Sequence, residues 1–404
     1  MNCSRGLVAG GAPCDPAASV TAPVGESAAV QSAGGHSAGD QLASGEDVAG
    51  QVDLGPRLAA LPKVELHVHL EGSFTVERIV ELAERAGEAL PVEPERLLGV
   101  GSLAELLARL DWWCGLVRSP EAAEAQAEAL ATRLGDDGVV HAEVIVNPTH
   151  WSGLPREVLF EAVSAGFARA AGRGACDCYL LASLLRSQSG EEALDLVREL
   201  ERRSPARLVG LSIDGDERAS GATGERFAPA FALAGAIGLG RTAHAGESSG
   251  PEGVVSALDD LGVSRVDHGI RAVEDPEVLR RVVDEGTTLD VCLTSNLALL
   301  YPDLDSHPIR RLVDAGAVVT INTDDPATLG VSLSGELGLA ARHCGWGLAE
   351  VVSVIDAAVD ASFAGGARKA QLRSSLREAA RAPLPVAPRA HPGGVAGQPD
   401  PPAG

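Results

Sequence analysis

The sequence predicts an α/β fold: a (β/α)8 TIM-type barrel with extra helices inserted after the first strand and at the C-terminus. Three observations predict it. Strand-like and helix-like segments alternate from residue 64 to residue 323. Several of the strand segments are near-continuous apolar runs, as parallel strands are when helices cover both faces of the sheet. The residues suited to metal binding and proton transfer all fall at the carboxyl ends of those segments, where barrel enzymes place their chemistry.

The first strand is expected over 64–70, Val64-Glu65-Leu66-His67-Val68-His69-Leu70. Side chains on a strand alternate faces, so His67 and His69 point the same way, as two ligands of one metal must. The stretch to the second strand is too long for one helix. Residues 75–134 must therefore hold several, beginning with an amphipathic stretch at 75–87 and packing around Trp112-Trp113. Further strands are expected at 139–147, 177–185, 208–214, 240–245, 264–268, 287–293 and 317–323. Amphipathic stretches at 156–171, 190–203, 225–238, 252–261, 275–285 and 307–315 supply the helices between them. Segments 333–344 and 348–363 read as closing helices.

The ends of the chain differ in composition. Residues 1–55 are rich in Gly, Ala and Ser without a sustained period, and 383–404 are rich in Pro and Gly. Neither buries enough apolar surface to offset the entropy of ordering, so both are expected to be disordered tails around a catalytic domain at 56–382. A formal net charge of −23, with lysine reduced to Lys63 and Lys369, argues against nucleic acid as a partner, since a phosphate backbone needs clustered Lys and Arg. No apolar run reaches membrane-spanning length, so no membrane partner is expected. The N-terminus lacks the basic-then-apolar layout of a secretory signal. The seven cysteines are odd in number and contain no Cys-x-x-Cys, which argues against a disulfide framework. A cytoplasmic protein is expected, of no specified oligomeric state.

Partners for His67 and His69 lie far downstream in three pieces: His244-Ala245-Gly246-Glu247, Asp267-His268-Gly269 and Asn322-Thr323-Asp324-Asp325-Pro326. Together they offer three imidazoles and a carboxylate for a metal, then a further imidazole and carboxylate for proton transfer. That is the inventory of a catalytic zinc site with a position left for water. Each piece alone has an ordinary reading: His244 as a core histidine, His268 as a turn residue before glycine, Asp324-Asp325-Pro326 as a helix start. The conjunction selects the catalytic one. His141, His150, His307 and His343 have no motif partners and read as structural or surface residues.

At these residues the chain resembles the adenosine/adenine deaminase family of the metal-dependent amidohydrolases. The matching pieces run in family order: Leu61 to Gly72, Gly215-Asp216-Glu217, His244 to Glu247, His268-Gly269, Thr294-Ser295-Asn296, Asn322 to Pro326 and Ala361-Ser362-Phe363. The resemblance implies that one Zn2+ per chain is held by His67, His69, His244 and Asp324. It implies that Glu247 protonates N1 of a purine and that His268 orients or deprotonates the attacking water. The Gly215 backbone N–H would meet N3, Asp325 would meet N7, and His69 would also border the substrate. Ser295 would support the site from behind. Glu71 stands where the family often has an Asp that contacts ribose.

The implied reaction is hydrolytic deamination of adenosine to inosine and ammonia in purine salvage. Adenine is the alternative substrate, as is a modified adenosine such as aminodeoxyfutalosine. Gly215-Asp216-Glu217 resembles the adenosine branch, Asp267 before His268 resembles the adenine branch, and Glu71 in place of Asp points away from a standard ribose contact. Other classes fit less well. A binuclear amidase or phosphotriesterase needs a lysine on the fourth strand, and 208–214 has none. The cytidine-type zinc deaminases need Pro-Cys-x-x-Cys, which is absent. A barrel that only binds a partner predicts a lost ligand or proton donor, and none is lost.

Overall fold

All eight strand segments form, and they close on themselves. The computed structural model describes residues 54–99, 101–221 and 223–383. The tails expected at 1–55 and 383–404 lie outside the described residues except for Leu54, Gly55 and Pro383, and Gly55 already opens a helix. The strands are β1 (Lys63–His69), β2 (Val139–Val146), β3 (Asp177–Leu185), β4 (Leu208–Asp214), β5 (Gly240–Arg241), β6 (His244–Ala245), β7 (Arg265–His268), β8 (Thr288–Val291) and β9 (Val318–Ile321). They pair in parallel in the orders β1-β2-β3-β4-β5 and β6-β7-β8-β9. The short β5 and β6 are halves of the fifth barrel strand, interrupted at Thr242-Ala243.

The seam between the last strand and the first is built mostly from side chains. Its one bridge pairs Val68 with Asp324. The His69 N–H donates to the Asp324 carbonyl at 2.8 Å, and the Asp324 N–H donates to the His67 carbonyl at 3.1 Å. Below the bridge, Asn322 Oδ1 accepts from the Leu66 and His67 N–H groups. Glu65 accepts from the Thr323 N–H and hydroxyl. These groups satisfy backbone donors that a regular ladder would pair. The closing seam therefore carries three of the four candidate metal ligands, His67, His69 and Asp324.

Helices cover the outside. Val76–Ala86, Leu103–Gly115 and Pro120–Asp136 fill the insertion after β1. Each starts on a side-chain cap, from Thr75, Ser102 and Ser119 respectively. The helices between strands are Arg156–Gly172, Gly190–Arg202, Gly224–Ala236, Pro251–Asp259, Pro276–Glu285 and Ile309–Asp314, each within two residues of its expected bounds at both ends. Leu333–Cys344 and Leu348–Ala361 close the barrel as expected. A further helix, Gly366–Arg381, has no counterpart in the sequence reading. Among the described residues, no helix is long and apolar enough to cross a membrane.

Candidate active site

The strand ends bring four imidazoles and a carboxylate together. His67 and His69 end β1, His244 opens β6, His268 ends β7, and Asp324 follows β9. His69 Nε2 lies 3.1 Å from His244 Nε2. Asp324 Oδ1 lies 3.2 Å from His67 Nε2 and 3.4 Å from His69 Nε2. His268 joins the same cluster, with Nε2 at 3.8 Å from Asp324 Oδ2. His268 and Asp324 adopt the left-handed backbone, φ 65° and 62°. Non-glycine residues hold that conformation at a cost, and the parallel pairing on either side fixes it here.

Hydrogen bonding behind the cluster sets which nitrogens face inward. His244 Nδ1 donates to the Ile213 carbonyl at 3.1 Å, which leaves the Nε2 lone pair facing His69. Asp267 lies behind both His244 and His67, at 3.5 Å and 3.9 Å from their Nδ1 atoms. Its carboxylate accepts from the hydroxyls of Thr242 and Ser212. Burial alone would raise its pKa, but the bond to His244 and the charges of His67 and Arg265 hold it below the usual carboxylate range. Asp267 thus orients histidines and does not line the cavity. Ligand atoms of His67, His244, His268 and Asp324, all buried, lie within 4.8 Å of one another, with His69 Nε2 beside them, and a cluster of imidazoles and a carboxylate this close could hold a metal ion.

Glu247 borders the cluster, with Oε1 at 3.6 Å from His268 Nε2. Burial pushes its carboxyl up to about 7; His244 opposes this, and Asp324 and Glu217 add to it. Its loop is held by Glu217, whose carboxylate accepts the N–H groups of Gly246, Glu247 and Ser249 at 3.1, 2.9 and 3.1 Å and the Ser249 hydroxyl. Gly246 is left-handed at φ 59°, and a Cβ there would meet Val254 at 2.6 Å. Glycine is what lets Glu247 turn back over the cluster.

The cavity is lined by His69, Glu71, Asp214, Gly215, His244, Glu247, His268, Asp324 and Asp325, so eight of the nine expected catalytic, substrate and metal residues other than Ser295 reach it; His67 sits beneath. Asp325 and Glu71 are both buried there. Asp325 Oδ1 and Glu71 Oε2 have no hydrogen-bond partner. Glu71 Oε1 accepts from Trp151 Nε1 and from the Asn147 N–H. Burial pushes Glu71 up to about 7, and burial with the neighbouring Asp324 and Glu71 raises Asp325 well above the usual range. A Cβ on Gly72 would fall 1.7 Å from Asp325 Oδ1, so this glycine makes room for the carboxylate.

The structure adds residues that the sequence reading missed. His150, expected to be structural or on the surface, is a wall of the cavity, bonded through Nδ1 to Asp111 at 2.6 Å. Leu103, Leu106, Leu107 and Leu110 of the inserted helix Leu103–Gly115 cover the cavity. Trp113 on that helix donates to the Glu71 carbonyl at 2.9 Å. Ser295 is buried, but the contact to His268 is made by its neighbour Asn296. No motif marks His150 or the leucines. The spacing of Glu217 after Gly215 was visible without its role.

Comparison with known proteins shows the family and the fold. The family model for adenosine deaminase matches residues 62–379. An adenine deaminase of Sinorhizobium medicae is 35% identical over 329 residues, covering 79% of this chain and 99% of its own. An adenine deaminase of Rhodospirillum rubrum is 37% identical over 330 residues, covering 79% and 97%. Among solved structures, an adenine deaminase from Arthrobacter aurescens superposes with a TM-score of 0.75 at 30% identity, covering 80% of this chain and all of its own. An amidohydrolase from Burkholderia ambifaria with bound Zn superposes with a TM-score of 0.76 at 29% identity, covering 83% and 95%.

Proposed function

We propose that this chain, which belongs to the adenosine deaminase family, is a zinc-dependent hydrolase that removes the 6-amino group of adenine. The observation that carries the substrate is a buried carboxyl oxygen without a partner, Glu71 Oε2, in the cavity that also holds Asp325 and Glu247. A buried acceptor left unpaired is costly, so a ligand that donates to it binds preferentially. Free adenine carries an N–H on its imidazole ring. A nucleoside has given that hydrogen up to its sugar. The sequence alone ranks adenosine ahead of adenine; Glu71, together with the name shared by the relatives, reverses the order.

His67, His69, His244 and Asp324 hold one zinc, which when bound brings the pKa of a water ligand to about 7. His268 orients the attacking water. Glu247, neutral at its raised pKa, gives a proton to N1 as C6 loses aromaticity. The Gly215 N–H meets N3, Asp325, protonated at its raised pKa, donates to N7, and Glu71 accepts the one N–H of the imidazole ring. The amino group leaves as ammonia.

The test is kcat/KM for adenine against adenosine, with metal analysis of the same preparation. A site built for a substrate N–H rejects an analogue lacking it by on the order of 10⁴. Adenine should therefore lead by a wide margin, with one zinc per chain. Glu71→Ala should erode the preference, and Asp324→Ala should lose both zinc and turnover. A higher kcat/KM for adenosine would overturn the substrate assignment and leave the deaminase reading intact.

A further inference from the structure

The reaction needs His268 in one tautomer, and nothing in the motifs says which. We propose that Asn296 and His307 are positioning residues that fix the proton of His268 on Nε2. They form a chain running from a backbone amide to the active site. The Ile309 N–H donates to His307 Nδ1 at 3.2 Å. His307 Nε2 lies 3.1 Å from Asn296 Oδ1. Asn296 Nδ2 lies 3.2 Å from His268 Nδ1. His307 and Asn296 are both buried, at 3% and 0% exposure, so water does not substitute for these partners.

The direction of each bond follows from its first link. A backbone amide only donates, so His307 Nδ1 is an acceptor and carries no proton. Burial, with His343 nearby, lowers the His307 pKa to about 4, so the ring is neutral and its one proton sits on Nε2. That N–H donates to Asn296 Oδ1. The orientation of the amide is then settled: Nδ2 faces His268 and donates to its Nδ1. A neutral His268 must hold its proton on Nε2, which faces Glu247 Oε1 at 3.6 Å and Asp324 Oδ2 at 3.8 Å. Turning the Asn296 amide over would reverse the chain. It would also place an N–H on His307 Nδ1 against the Ile309 N–H, two donors face to face.

One consequence separates the two kinds of histidine in the cluster. His244 gives its Nδ1 proton to a carbonyl and turns a lone pair inward, as a metal ligand must. His268 accepts at Nδ1 and turns an N–H inward. It can donate to an oxygen held nearby, and it offers that cluster no ligand atom.

The inference rests on the proposed function only for its kinetic arm. In the first arm, ¹⁵N-histidine spectra of the zinc-loaded, unmutated protein should show His268 as the Nε2–H tautomer; an Nδ1–H form overturns the proposal. In the second arm, His307→Leu removes the donor to Asn296, whereas His307→Gln keeps an N–H near the place of Nε2. The leucine variant should lose roughly 10–100-fold in kcat, the usual cost of losing an outer hydrogen-bond partner, with KM and zinc content little changed. The glutamine variant should regain most of that loss. An equal loss in both variants, or none in either, would make His307 a packing residue and overturn the proposal. If His307→Leu does not fold, the spectrum of the unmutated protein decides. That spectrum needs no substrate, so a wrong substrate assignment would leave it readable.

Discussion

Glu247 carries the sharpest test of role at the scale of single residues. It sits beside the cluster without reaching into it, so its substitution separates chemistry from metal binding. Glu247→Gln is nearly isosteric, still donates a hydrogen bond and cannot release a proton. It should keep zinc and lose kcat by roughly 10²-fold or more, the low end for a general acid. Retained turnover or lost zinc would contradict the assignment. The pH profile follows with a definite sign. The active form is protonated, and burial has pushed its pKa up to about 7. kcat/KM should therefore fall as pH rises through about 7, and the same limb should vanish from the residual activity of Glu247→Gln. A rate rising through that range would mean that Glu247 acts as its anion. At this scale the sequence was legible wherever ordered motifs repeat a known spacing, as in His244 to Glu247. It was silent where a residue acts through a partner remote in sequence. His307 meets Asn296 across a turn, and His150 meets Asp111 across the insertion; no local pattern announces either.

Among elements, the barrel interior departs from the sequence expectation of apolar strands. β7 points Arg265 and Asp267 to the same face, two residues apart. Arg265 is fully buried and pairs with Glu143 of β2 at 2.6 Å and Asp290 of β8 at 3.0 Å. The Asp290 contact is close but off the N–H axis, so it serves as an ion pair more than a hydrogen bond. Phe363 stacks on the guanidinium, and Thr320 donates to Asp290. Ionic residues in an otherwise apolar run read as interruptions in sequence, yet here they form the layer beneath the metal site. Breaking one member of such a group leaves uncompensated charge in the interior, which costs roughly 3–5 kcal/mol. Arg265→Leu should therefore lower stability by that order in equilibrium denaturation, with unmatched Glu143 and Asp290 as the cause. A variant as stable as the parent would show that the layer is dispensable. The helix Gly366–Arg381 escaped the sequence reading for a related reason. It buries only Leu372 and Leu376, one turn apart, which is too thin a stripe to set a period.

For the molecule as a whole, the alternation of strands and helices was enough to foresee a closed parallel barrel, because β2, β3 and β4 are long, mostly apolar runs and several helices start on side-chain caps. How the chain ends are fastened was not foreseeable. The short helix Gly55–Ala60 precedes β1, with Leu58 and Leu61 both buried. Lys63, itself fully buried, donates through Nζ to the carbonyls of Leu58 and Leu61 at 2.8 and 3.1 Å. Arg57 donates to the carbonyl of Ala382, so the two ends of the described chain are tied to each other. Two truncations test this arrangement. Removing residues 1–53 leaves the strap whole, and zinc content, kcat/KM and melting temperature should stay close to those of the full chain. Removing 1–61 exposes the surface that Leu58 and Leu61 cover, at about 1.5–3 kcal/mol for each side chain, and strips Lys63 of both carbonyl acceptors. That variant should melt well below the shorter truncation while its folded fraction keeps the same turnover per bound zinc, since the strap lies at the amino end of β1 and the site at the carboxyl end. Loss of active, zinc-loaded protein on removing 1–53 would move the boundary of the catalytic domain upstream. Equal melting of the two truncations would mean that the strap does not hold the barrel's first strand in place.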